Sequence, residues 1–100
     1  MENIASLREK DILTVYLKDR LDTNTAPVIQ QAVEAQLDGI MCLKIDMGEL
    51  NYISSAGLRA ILYLFQKMED RNGEMQLCRV NSIILDVFDI TGLTDVFTFV

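Results

Sequence analysis

The chain has 100 residues, half of them hydrophobic and 24% charged, with a formal net charge of -6. That length and mixture suit one soluble domain, residues 1–100, with a core of its own. The nine lysines and arginines, scattered from Arg8 to Arg79, form no basic stripe, and no apolar run nears the roughly 18 residues that span a bilayer, so direct nucleic-acid and membrane roles are excluded.

The first residues, "MENIASLREKD", lack the basic and apolar regions of a signal peptide, and the chain is expected to be cytoplasmic. "NIASLR" is a weak strand candidate. "REKD", Arg8 to Asp11, then turns the chain into "ILTVYLK", where Leu13, Val15 and Leu17 alternate with polar residues as in a half-buried strand. The two strands make an N-terminal hairpin. In "TNTAPVIQQAVEAQLDG", Asn24 or Thr25 can cap a helix, Pro27 fits its first turn and Gly39 ends it, with Ile29, Ala32, Val33 and Leu37 as the buried stripe. "MCLKIDM" reads as the next strand, Met41, Leu43 and Ile45 facing one way.

The spacing predicts a second helix from about Ser55 to Asn72, with Leu58, Ile61, Leu62, Phe65 and Met68 on its core face and Gly73 beyond its end. Ala60, Tyr63 and Leu64 widen its apolar character, which suits either a broad core face or an exposed interface. "EMQLCRV" is a further strand. "NSIILDVFDITG" opens on a capping Asn81, buries Ile84, Val87 and Phe88, and closes at Gly92; "VFTFV" is the last strand. Strands alternating with helices imply βαβ units with parallel pairing, because a tight turn cannot reach a parallel partner. The expected fold class is therefore α/β. Loops that leave strands for helices collect at one sheet edge, which should bring Asp22, Asp46 and the pair Ser54-Ser55 together.

Three chemistries could use that edge. Ser55-Ala56-Gly57 matches the second half of a nucleophile elbow, but Ile53 occupies the first glycine's place and the chain contains no histidine to serve as base. Serine catalysis is not expected, and neither is enzymatic activity. The five glycines stand singly, so neither phosphate-loop motif is present and weak nucleotide binding has no motif behind it. Cys42 and Cys78 lie far apart in apolar stretches as free thiols, and Asp22 and Asp46 suit a solvated turn and a strand end better than a metal site; no cofactor or metal is expected. A helix N-cap uses one serine hydroxyl, not two. The second, beside the small Ala56 and Gly57, leaves a modifiable docking surface. A phosphate there would meet the positive end of a helix.

Three stretches also carry a family resemblance: "LKDRLDTNTAPVIQQAV", "CLKIDMGELNYISSAGLRAIL" and "VFDITGLTDVFTFV". In this order, and through nearly the whole chain, they resemble the STAS domain, in particular the bacterial anti-sigma-factor antagonists. The resemblance implies a small mixed sheet, a hairpin joined to βαβ units, with helices mainly on one face. It also implies partner switching, in which the unphosphorylated protein captures an anti-sigma factor, itself a serine kinase, and so frees a sigma factor. Phosphorylation ends capture, and a serine phosphatase restores it. Matching the family's Asp-Ser-Ser-Gly core places its acid at Ser54, its phosphorylated serine at Ser55, its second serine at Ala56 and its glycine at Gly57. Ser55 is the implied acceptor and Ser54, a departure from the acid, an adjacent competitor. Asp22 and Asp46 match acidic positions beside the loop, and Ala60 and Tyr63 complete the implied docking surface. The alternative is a STAS module that senses a nucleotide or serves in a larger assembly, with Ser55 unused.

Overall fold

Alternation in the N-terminal region builds a hairpin in the computed structural model, which describes residues 5–100. β1 (Ala5–Glu9) pairs antiparallel with β2 (Ile12–Leu21), Ala5 opposite Tyr16 and Glu9 opposite Ile12. The turn is Lys10-Asp11, with Lys10 at φ 59°, the left-handed geometry that matches a hairpin's twist. Arg8 and Glu9 thus belong to the strand, while Asn3 and Ile4 of the expected first strand lie outside the described residues.

The chain continues as α1 (Ala26–Glu34), β3 (Cys42–Ile53), α2 (Ser55–Asp70), β4 (Glu74–Cys78), α3 (Ser82–Ile90) and β5 (Thr98–Phe99). The sheet order is β1-β2-β3-β4-β5, parallel at every junction except the hairpin. Register stacks Leu13, Leu43 and Met75 in one row and Val15, Ile45 and Leu77 in the next, all essentially without solvent contact. Val33, Ile61, Leu64, Ile84 and Phe88 bury against these rows in one continuous core. All three helices therefore cover one face. The opposite face carries Tyr16, Lys44, Asp46 and Gln76, whose positions alternate with the buried ones. This is the mixed sheet expected.

Several boundaries differ from the sequence reading. α1 stops at Glu34 rather than near Gly39, although Leu37 and Ile40 still reach the core, and the Arg71 guanidinium holds the following segment through the Leu37 and Ile40 carbonyls. Met41 does not alternate inward with Leu43 and Ile45. It precedes β3 and is 41% exposed, because Ile40 takes the inward place. On α2 the buried residues are Gly57, Leu58, Ala60, Ile61, Leu64 and Met68, so Leu58, Ile61 and Met68 face the core as expected, while Leu62 and Phe65 are half-buried. Counting only large side chains shifts the expected stripe, because the small Gly57 and Ala60 also take buried places on α2. Cys42 and Cys78 are free and half-buried, not buried, and desolvation pushes both thiols up, keeping them protonated near neutrality.

The largest difference is β3. The expected strand covers only "MCLKIDM", yet it runs on through "GELNY" to Ile53 because β2 is also long and pairs with it to Leu21 across two register shifts. Asp46 is consequently a mid-strand residue.

Candidate functional site

At the carboxyl ends of β2 and β3, Leu21 stands opposite Ile53, and the Ser54 amide donates to the Leu21 carbonyl at 2.9 Å. Ser54 has extended backbone, φ -98° and ψ 177°, so its Oγ can turn back and accept from the Gly57 amide at 3.3 Å, while its carbonyl accepts from Leu58. It is the N-cap of α2. Ser55, the first helical residue, is exposed, and its hydroxyl makes no hydrogen bond to a described residue.

Gly57 is buried for a steric reason. A Cβ there would lie 2.5 Å from the Leu21 carbonyl oxygen and 2.8 Å from Ile53 Cγ1, so the helix entrance is pressed onto the end of the hairpin strand. Ala56 packs half-buried against the core. Both residues shape the entrance from beneath rather than offering side chains to a partner.

Asp22 also reaches this edge, one residue beyond the carbonyl that holds Ser54. Its Oδ1 accepts from the Asn24 and Thr25 amides, each at 3.0 Å, and its Oδ2 from Arg20 Nε at 3.1 Å. The Thr25 amide, then the Arg20 guanidinium, hold its carboxyl below the usual range. Thr25 occupies the expected N-cap position of α1 but makes no side-chain cap bond: its hydroxyl accepts from the Asp22 amide and donates to the Arg20 carbonyl, while the Asp22 carboxylate holds the Asn24 and Thr25 amides of the loop before the helix. Arg20 in turn lies 4.2 Å from the Tyr52 ring centroid. The Arg20–Tyr52 pairing escaped the sequence reading, since it depends on a shifted β2–β3 register that spacing does not reveal.

Asp46 is not at this edge. It pairs with Tyr16, which is five residues before Leu21 on β2, while Asp46 is seven before Ile53 on β3; at about 3.3 Å per residue that puts it roughly 16 Å or more from the serines along the strands. Its carboxylate accepts from Arg79 Nε at 2.9 and 3.1 Å and from the Gly48 amide at 2.9 Å. Burial alone would raise its pKa, but Arg79 and the Gly48 amide outweigh that and lower it. Arg79 crosses directly over Gly48, where any Cβ would strike the guanidinium at 2.5 Å. The expected place of Asp46 at a strand end beside the loop is corrected: it sits in mid-strand, and its ion pair with Arg79 lies on the helix-free face.

Ala60 is 2% exposed and cannot touch a docked protein. Tyr63 fills the α1–α2 seam, its hydroxyl donating to the Glu34 carboxylate, with Lys67 Nζ 3.7 Å from the same group. The apolar surplus of α2 is therefore core and seam. A groove of about 840 Å³ flanks the outer part of β2, lined by Lys18, Arg20 and Arg79 together with Asp19, Asp22, Asp46 and Glu49. Acids and cations interleave there, so it offers no concentrated positive field to a phosphate. Among the described residues no cluster of three or more cysteine, aspartate or glutamate side chains is arranged to hold a metal, and no helix is long and apolar enough to cross a membrane.

Fold and site together define a two-layer α/β domain, an N-terminal hairpin leading into βαβ units, with an exposed serine at one helix entrance. The chain belongs to the STAS domain family, whose sequence profile matches residues 3–100. It is 30% identical over 90 residues to an anti-sigma-B factor antagonist of Listeria monocytogenes, covering 89% of this chain and 79% of that one. To the anti-sigma-B factor antagonist of Bacillus subtilis it is 23% identical over 94 residues, covering 94% and 86%. The backbone superposes on unphosphorylated SpoIIAA, an anti-sigma factor antagonist, with a TM-score of 0.84 at 15% identity, covering 98% and 88%.

Proposed function

We propose that this chain is an anti-sigma-factor antagonist that works by partner switching, with Ser55 as the phosphate acceptor. In its unphosphorylated form it captures an anti-sigma factor and thereby frees a sigma factor. The captured partner is a serine kinase, and phosphorylation of Ser55 ends the capture until a serine phosphatase reverses it. The chain is a substrate in this cycle, not an enzyme.

The observation that carries this reading is the division of labour between adjacent hydroxyls. Ser54 Oγ is held by the Gly57 amide, whereas Ser55 is exposed and free of described partners. A kinase must reach the hydroxyl and align it, which a cap engaged in its own helix resists. A phosphoryl group adds about -1.5 to -2 charges, and the positive end of α2 tolerates them without unfolding. The cost falls on the interface instead. A penalty of roughly 3 kcal/mol against a desolvated partner surface lowers affinity more than a hundredfold. The docking surface consists of Ser55 with the neighbouring Asp22 loop.

The test is mass spectrometry after incubation with the cognate anti-sigma kinase and ATP, using wild type, Ser54→Ala and Ser55→Ala. Phosphate is expected on wild type and Ser54→Ala and absent from Ser55→Ala. Phosphorylated wild type is expected to lose capture of the kinase. Labelling of Ser54 alone would reverse the assignment, and capture unchanged by phosphate on Ser55 would overturn the switch.

A further inference from the structure

α3 carries two apolar stripes, one buried in the core and a second that touches the core only through Val87. Ile84 and Phe88 are fully buried. At 100° per residue, Ile83, Val87 and Ile90 gather on an adjacent sector of the helix, at the i, i+4, i+7 spacing of a docking face. Ile83 is 62% exposed, Ile90 is 85% exposed and Val87 is half-buried. Scattered exposed aliphatics are ordinary, but Ile83 and Ile90 lie one above the other on one helix face with the half-buried Val87 between them.

The charge around the patch has one sign. Asp86 and Asp89 border the stripe on the side away from the core; neither forms an ion pair with a described residue, and Asp89 Oδ1 accepts from the Thr94 hydroxyl, which leaves its charge uncompensated. From Asn81 to Val100 the sequence contains three aspartates and no lysine or arginine, so half of the chain's net charge of -6 lies in this segment.

We propose that the Ile83–Val87–Ile90 face of α3 docks a basic amphipathic helix of a partner protein. The partner's apolar side chains cover the stripe, and its flanking lysines or arginines meet Asp86 and Asp89. Charge complementarity selects this occupant. A second copy of the chain would set the same aspartates against one another, and a phosphate-bearing surface would be repelled by all of them. The proposal stands independently of phosphate transfer to Ser55, since it concerns a different helix and no covalent step.

The experiment titrates the isotope-labelled full chain with two synthetic helical peptides, monitored by amide chemical shifts. Both peptides repeat leucine at i, i+3, i+4 and i+7; one fills the remaining positions with lysine and the other with glutamate. The lysine peptide is expected to shift amides of Ser82–Ile90 and to weaken as salt rises from about 0.05 to 0.5 M, where screening shortens to a few ångströms. Ile83→Ser/Ile90→Ser is expected to lower its affinity at least about tenfold, equivalent to 1.4 kcal/mol. Asp86→Asn/Asp89→Asn is expected to lower it while flattening the salt dependence. Both double variants change exposed side chains and should keep the wild-type circular dichroism spectrum. The proposal is overturned if the glutamate peptide binds equally, if the shifts map to the helix-free sheet face, or if the isoleucine variant binds like wild type. Self-association of the wild type through this face, abolished in the isoleucine variant, would also overturn it.

Discussion

Ser54 and Ser55 show how one residue's place in the chain decides its chemistry. The cap residue must keep an extended backbone so that its oxygen can reach the amide three residues on, and the next residue enters the helix with its side chain directed off the end. Ser54→Ala is therefore expected to lower stability by about 1 kcal/mol, and Ser55→Ala by less than about 0.5 kcal/mol, as read from urea unfolding. A larger loss for Ser55→Ala would mean that the capping roles are exchanged. Asp46 gives a prediction with a pH signature. Its folded pKa is lowered, so its stabilising effect is present above the ordinary carboxylate range and disappears as pH falls through the folded value. Asp46→Asn is expected to be less stable than wild type by roughly 1 kcal/mol at neutral pH, with the gap closing below about pH 4. A gap that widens on acidification would contradict the Arg79 pairing.

Elements are joined most tightly where α2 begins. The Ser54 amide on the Leu21 carbonyl ties the end of β2 to the helix entrance, and Gly57 lets the first turn lie against that same carbonyl. The obstacle to a larger residue is backbone, which cannot swing aside as a side chain could. Gly57→Ala is expected to cost about 1–3 kcal/mol in chemical denaturation and to weaken capture by displacing Ser55; full wild-type stability would show that the entrance has slack. Element types were legible in sequence because apolar alternation and helical spacing are local. Element lengths were less so. The polar run that extends β3 becomes strand only because a long β2 lies beside it, and Thr25, at the expected N-cap position of α1, makes no side-chain cap bond because the Asp22 amide and the Arg20 carbonyl engage its hydroxyl.

At the scale of the whole molecule, three helices on one face leave the other side of the sheet to the Asp46–Arg79 pair and to polar side chains. The proposed phosphorylation site and the core share the first turns of α2 but not its exposed start. Phosphorylation of Ser55 is accordingly expected to leave the core intact: amide shifts should change around the α2 entrance and the Asp22 loop, with the thermal midpoint unchanged or raised. Changes spread through the rows around Leu43 and Ile45 would point instead to refolding as the switch.

The sequence by itself determined the α/β class, the order of elements, the absence of a histidine base and the serine pair at a helix entrance. All of these follow from periodicity or composition, which one chain carries locally. Only the tertiary structure decided which hydroxyl is engaged, that Asp22 reaches the serine edge while Asp46 does not, and that Ala60 and Tyr63 belong to core and seam. Those outcomes depend on strand register and helix rotation. A register shift or a turn of the helix moves a side chain between surface and interior without changing its spacing in sequence.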